Sequence, residues 1–159
     1  MGLIVENKLY QIAKEISNEY DLTEVFVLDV FYRYLKDIFH AIEHGEKVII
    51  PKLAILHVIK KGSSPIKELD FKTRCKIVAD ELGVTYTDVE KVIRGYISKL
   101  KQQEDIEIPC VCYIQWKGDS SKNMTYTKVS PILKARLDFR YGEGKFKFHV
   151  KASESLKTR

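Results

Sequence analysis

Two hydrophobic periodicities alternate along the chain, and both recur. Phe31, Leu35, Ile38 and Ile42 are spaced by 4, 3 and 4 residues, which is one face of a helix. Val48 and Ile50, then Leu53 and Ile55, alternate on either side of Pro51, the pattern of a strand interrupted by a bend. A shift of 58 residues lays a second copy over the first, pairing Phe31 with Val89, Leu35 with Ile93, Ile38 with Tyr96 and Ile42 with Leu100. The same shift continues without a gap through Val48/Ile106, Ile50/Ile108, Pro51/Pro109, Leu53/Val111 and Ile55/Tyr113. Two different periods kept in register mark an internal repeat.

Upstream the shift becomes 62, one helical turn more, and pairs Ile16 with Val78, Tyr20 with Leu82, Leu22 with Val84 and Thr23 with Thr85. Both threonines stand where an N-cap hydroxyl can satisfy a free helix amide. The second opens a capping-box pattern, Thr85-Tyr86-Thr87-Asp88. Each unit is therefore predicted to run helix, tight turn, longer helix, strand, with the first long helix about one turn longer than the second. Val25, Val27, Leu28, Val30, Phe31, Tyr34, Leu35, Ile38, Phe39 and Ile42 leave that first long helix little polar face. It needs cover on more than one side, and the matching helix of the other unit is its natural partner, in an intramolecular pseudo-dimer.

Beyond the repeat, Met124–Ala152 is predicted to be β. Leu137-Phe139-Tyr141 and Phe146-Phe148-Val150 alternate around Tyr141-Gly142-Glu143-Gly144, as the arms of a hairpin do around a turn. The expected class is α+β. Residues 1–69 form the first unit, 70–130 the second, 131–152 a basic β-hairpin completing the second unit, and 153–159 a disordered tail.

Charge divides the chain unevenly. Residues 1–110 carry 16 Lys/Arg against 18 Asp/Glu, and residues 111–159 carry 11 against 4, so the formal excess of +5 belongs to the C-terminal third. Such a segment suits a polyanion or an acidic protein surface. On the predicted hairpin, Arg136, Arg140, Lys145, Lys147 and Lys151 share a basic face able to lie along phosphates.

No apolar run reaches the roughly 18–20 residues of a membrane span, and Met1–Glu6 does not read as a secretory signal. The expected location is the cytoplasm. Cys75, Cys110 and Cys112 match neither a disulfide framework nor a closed zinc site and are expected to be reduced core residues. His40 and His44 stand one turn apart, a spacing able to chelate a metal, but at a helix end they suit the negative pole of the helix dipole instead. No phosphate loop, nucleophile elbow or paired-carboxylate motif is present. The expectation is a protein without catalytic residues, metal or cofactor.

Asp21-Leu22-Thr23 through His44-Gly45-Glu46-Lys47-Val48 resembles the Gly-Leu-Ser turn, long dimerisation helix and Gly-Glu-Lys-Val strand entry of the HU/IHF family of bacterial histone-like proteins. Lys61-Gly62-Ser63-Ser64-Pro65 resembles the Gly-Arg-Asn-Pro tip of that family's DNA-embracing arm, and Lys117-Gly118-Asp119-Ser120-Ser121 falls in the comparable place of the second unit. The likeness covers residues 8–69 and 70–130. It implies interlocked long helices and two β-ribbon arms that enter a minor groove and bend the duplex. Carried over, Lys60, Lys61 and Pro65 belong to the first arm, and Trp116, Lys117, Lys122 and Lys128 lie on or near the second.

The leading expectation is thus a monomeric, non-enzymatic DNA-binding protein of tandem HU-like architecture, acting on duplex with weak sequence specificity. A second expectation is a protein-interaction module, an adaptor or inhibitor of a nucleic-acid machine, of the kind a bacteriophage encodes. It is motivated by a first arm shorter than the family's, whose return strand carries Glu68 and Asp70. A third pattern, Val78–Val84 followed by Val89 and Val92, fits a helix-turn-helix whose second helix would offer Thr85, Tyr86, Thr87, Lys91 and Arg94 to a major groove. Asp88 and Glu90 oppose that use.

Overall fold

A computed structural model describes residues 3–60, 68–116 and 125–153. The first unit opens with α1 (Leu3–Tyr20), α2 (Glu24–Glu43), β1 (Lys47–Ile50) and β2 (Ala54–Lys60). After the short β3 (Glu68–Leu69), the second unit repeats the order as α3 (Phe71–Leu82), α4 (Tyr86–Lys101), β4 (Asp105–Ile108) and β5 (Cys112–Trp116). The chain continues through β6 (Thr125–Val129), α5 (Pro131–Tyr141) and β7 (Phe146–Ala152). The described residues thus form a mixed α+β fold of five helices and seven strands in two sheets. The two long helices have 20 and 16 residues, the difference of one turn that the change of shift predicts.

The repeat is closest in the backbone. Asp21 (φ 55°) and Gly83 (φ 68°) are counterparts, and both turn left-handed to end a helix. The amides of Leu22 and Val84 then reach back to the carbonyls of Ser17 and Ala79, each at 3.0 Å, the six-to-one bond of a Schellman ending. The caps that follow differ. Thr23 Oγ1 accepts from the amide of Phe26 at 3.1 Å. Thr85 caps no amide with its side chain; its hydroxyl donates to Asp88 at 3.3 Å, so the predicted capping box does not form. Asp is one methylene shorter than the Glu that usually closes that motif.

The predicted bent strand is in each unit a tight antiparallel hairpin, pairing Ile50 with Ala54 and Ile108 with Cys112. The reason lies at two counterpart residues, Lys52 (φ 62°) and Cys110 (φ 65°). With Pro before each, and with Leu53 and Val111 donating to Ile50 and Ile108 at 3.0 and 2.9 Å, both loops have the features of a type II turn.

The larger correction concerns the C-terminal segment. Residues 131–141 are a helix, not a strand. Ser130 caps it by accepting from the amide of Leu133 at 3.1 Å, and Pro131 occupies the first turn, where its missing N–H costs nothing. Leu133 and Leu137, one turn apart, are fully buried, whereas Phe139, which completed the apparent alternation, is 92% exposed. The remaining strand, β7, does not pair within the second unit. It lies antiparallel to β2, from Lys60 opposite Phe146 to Ala54 opposite Ala152, giving the sheet orders β3-β1-β2-β7 and β4-β5-β6.

β7 thus stands beside β2 as β6 stands beside β5. Cys112 opposite Val129 matches Ala54 opposite Ala152, and the amides of Ser130 and Ser153 bond to the counterpart carbonyls of Val111 and Leu53, each at 2.9 Å. The sequence carries the same equivalence at a shift of 23. Lys128, Ser130, Leu133, Lys134 and Arg136 recur as Lys151, Ser153, Leu156, Lys157 and Arg159. The predicted tail lies, after Ser153, outside the described residues. The 131–152 segment therefore completes the first unit, because the next described strand after β2 is β3, parallel to β1 at the opposite edge.

One apolar cluster runs through both units. At its centre α2 packs on α4, with the rings of Phe31 and Tyr96 stacked at 4.4 Å. The seams on either side differ in chemistry. Where α3 meets α2, the buried Arg74 guanidinium donates to Asp37 at 2.9 Å and to Glu46 at 3.4 Å. Where α1 meets α4, the counterpart of Asp37 is Gly95, and a Cβ there would sit 3.3 Å from both Ile16 and Tyr20 side chains.

Candidate nucleic-acid interface

β7 alternates in and out. Phe146, Phe148, Val150 and Ala152 pack on the core, while Lys147, His149 and Lys151 face outward. Across β2 they lie opposite Ile59, His57 and Ile55. Lys47 of β1 adds a third lysine near this face, ion-paired to Glu68 at 3.8 Å. At the middle of the sheet the rings of His57 and His149 are 5.1 Å apart, and neither Nδ1 has a hydrogen-bond partner among the described residues. Burial pulls the His57 pKa below its usual value, and the neighbouring His149 and Lys47 push the same way.

The end of β7 nearest the first arm gathers more positive charge. Arg140 reaches the Glu43 carboxylate and the His44 ring, each at 3.3 Å, and the Tyr141 hydroxyl donates to the Glu43 carbonyl at 3.0 Å. His44 Nδ1 donates to the His40 carbonyl at 2.7 Å, which leaves Nε2 to accept from Arg140. His40 and His44 thus join Glu43 in fastening α5 to the end of α2. Lys60 stands over the Tyr141 ring at 5.9 Å, and Lys145 closes the turn into β7 by donating its amide to Gly142 at 3.0 Å. Arg136, one turn back on α5, is exposed and makes no ion pair among the described residues.

Of the residues singled out from sequence, Lys60, Arg140 and Lys145 therefore lie about the turn from α5 into β7, Lys60 on the same side of the sheet as its partner Phe146, whereas Lys147 and Lys151 face outward along β7 and Arg136 lies one turn back on α5. They are carried by a helix, a turn and strands, not by the single hairpin face predicted. Lys128 lies on the other sheet, opposite Tyr113. The backbone of Trp116 ends β5 opposite Thr125. Lys61, Pro65, Lys117 and Lys122, which the resemblance assigns to the arms, lie outside the described residues.

The outward face of β4-β5-β6 has the opposite character. Asp105, Glu107, Tyr113 and Gln115 accompany Lys128 there. Gln115 and Tyr126 are the register counterparts of His57 and His149. Sequence reasoning missed His57, His149 and Lys47, because only the pairing of β7 with β2 places them together. The spacing of 23 between Lys128 and Lys151 was the available signal for that pairing.

Two of the helix-turn-helix candidates, Lys91 and Arg94, make contacts within the chain. Lys91 lies over the Tyr20 ring at 5.5 Å, and Arg94 lies 4.7 Å over Phe71 and 3.3 Å from Glu90. Burial pushes the Cys75 and Cys112 thiols up to about 12, away from the reactive thiolate. Among the described residues no three His, Cys, Asp or Glu side chains are grouped to hold a metal ion, and no helix is long and apolar enough to cross a membrane. No protein-family model, no curated protein and no solved structure matches the chain.

Proposed function

We propose that this chain is a non-enzymatic DNA-binding protein made of two divergent HU/IHF-like units fused into an intramolecular pseudo-dimer. It holds duplex DNA by its phosphates along the outward face of β7 and the corner where α5, β7 and the first arm meet. The observation that carries this reading is the pair of outward cations Lys147 and Lys151 on β7, a strand with no acid of its own, which begins at the turn where Lys60, Arg140 and Lys145 lie. Cations aligned on a strand give affinity through counterion release, with little sequence readout.

The test is a fluorescence-polarisation titration of a short labelled duplex at two salt concentrations, with wild type and a Lys145→Gln, Lys147→Gln, Lys151→Gln triple variant. Arg140 is left in place because its contact with Glu43 also holds α5. The expected result is micromolar or tighter binding by wild type and a salt slope shallower by up to about 3 in the variant, near one unit for each phosphate that a lysine no longer neutralises. An unchanged slope removes β7 from the interface, and no binding at low salt refutes the reading.

A second reading, a protein-interaction module, is favoured by one observation. The outward face of β4-β5-β6 places Asp105 and Glu107 beside Tyr113 and Gln115, unsuited to phosphate and suited to a basic protein surface. Retained DNA binding in an Asp105→Lys, Glu107→Lys variant, with loss of a protein partner, separates the two roles.

A further inference from the structure

An aromatic side chain held almost wholly in water is costly, and its surroundings indicate what covers it. Phe139 is 92% exposed on α5, a helix fixed at both ends, by the Ser130 cap and by the Tyr141–Glu43 bond. The exposed Ile132 stands two turns before it on the same side, with Arg136 between them. Arg140 follows Phe139 directly, and the chain then turns through Gly142 into Lys145 and Lys147. Of the acids nearby, Asp138 is paired with Lys134 at 2.8 Å and Glu43 with Arg140 at 3.3 Å, which leaves Glu143 on the turn and Arg136 as the exposed cation beside the ring.

We infer that Phe139 is a nucleobase-stacking residue, presenting its ring to an unpaired or unstacked base while Arg136 faces a flanking phosphate. This rests on the DNA-binding reading proposed above and names a contact within it. The charge pattern selects this occupant over a second copy of the chain, since self-association through this face would set Arg136 against its own counterpart. An aromatic ring beside an exposed arginine suits a base because every base offers a π-face and every nucleotide a negative charge. The rigid seat of α5 supports this use, because a ring that need not be ordered on binding loses little conformational entropy.

The experiment compares two labelled duplexes, one fully paired and one carrying a single unpaired nucleotide, against wild type and Phe139→Ala. The ring buries little, so the substitution leaves the fold intact. Stacking on one base contributes on the order of a tenfold change in affinity. Phe139→Ala is therefore expected to weaken binding to the bulged duplex about tenfold while changing the fully paired duplex far less. In parallel, the added emission of a Phe139→Trp variant, read against wild type with its one tryptophan, Trp116, should be quenched as the bulged duplex is titrated in.

Binding by polarisation with neither a selective loss nor quenching overturns the inference and leaves the DNA reading standing. Failure of wild type to bind either duplex overturns both. An emission change that follows protein concentration without DNA assigns the ring to self-association and overturns the inference alone.

Discussion

The two seams that join the units have the same backbone and opposite chemistry. Between α2 and α3 a buried arginine is held by two carboxylates that keep partial contact with water, at 18% and 22% side-chain exposure. Between α4 and α1 the counterpart of Asp37 is Gly95, and the space is taken by Ile16 and Tyr20. The outward sheet faces diverge likewise, one carrying Lys147 and Lys151 and the other Asp105 and Glu107. What is common to the units is the set of backbone turns, and what differs is the side chains those turns present. The two units keep one backbone scaffold and present different side chains on it.

Breaking the ionic seam should have the largest effect. Arg74→Ala leaves Asp37 and Glu46 facing each other without their cation, and a loss of about 3 kcal/mol in unfolding free energy by urea denaturation is expected, at the low end for a buried pair because both acids touch solvent. The comparison is sharpened by the triple variant Arg74→Met, Asp37→Leu, Glu46→Gln, which removes all three charges of this cluster, leaving that part of the seam uncharged like its Gly95 counterpart. It should return to within about 1 kcal/mol of wild type, since well-packed apolar replacements of buried ion pairs are often neutral. If the triple variant is no more stable than Arg74→Ala, the two seams are not interchangeable solutions to one packing problem.

The seam was only half legible in sequence. Ile16, Val78, Ile38 and Tyr96 could be placed on facing helices because helical periodicity is local and survives duplication. The Arg74–Asp37 pair is a contact between residues 37 apart and leaves no periodic trace. The same distinction explains the C-terminal error. Leu137, Phe139 and Tyr141 alternate like a strand, and Leu133, Leu137 and Tyr141 recur like a helix, so periodicity alone could not decide. Ser130-Pro131 was the deciding local signal, an N-cap followed by a first-turn proline. That β7 crosses to β2 is a fact about long-range pairing. The candidate site was legible in its residue types, the C-terminal lysines and arginines, and illegible in its geometry for that reason.

A smaller effect is expected where the backbones agree most closely. Gly83 and Asp21 share a left-handed conformation, and a Cβ added at Gly83 would meet nothing within 4 Å. The cost of Gly83→Ala is therefore conformational strain alone, about 1 kcal/mol. Asp21→Gly should be stabilising by a few tenths of a kcal/mol at most, because aspartate tolerates this region better than alanine does and the unfolded chain gains freedom. Equal and opposite changes at the two sites would show that both turns favour glycine to the same degree. A loss at Asp21→Gly would reveal an interaction of the Asp21 carboxylate that offsets its strain.

The smallest effect should come from the centre of the basic face, where His57 meets His149 and the other sheet has Gln115 opposite Tyr126. The His57 pKa is lowered in the fold, first by burial and then by His149 and Lys47. A depressed pKa means that the fold favours the neutral ring. Its contribution to stability is present above the unfolded-state value near 6.5 and is lost as pH falls through the lower folded value. Wild type should therefore lose stability between about pH 7 and pH 5 by more than His57→Gln, whose amide has no proton to gain in that range. The groups facing this ring, Lys47, His149 and the flanking Lys147 and Lys151, are all cations or potential cations, so none of them rescues the protonated imidazole. An identical fall in both proteins by urea denaturation would place the acid sensitivity elsewhere. A flatter profile for His57→Gln would mean that the basic face accepts a proton only at the expense of the fold, a constraint that the Gln115 face escapes.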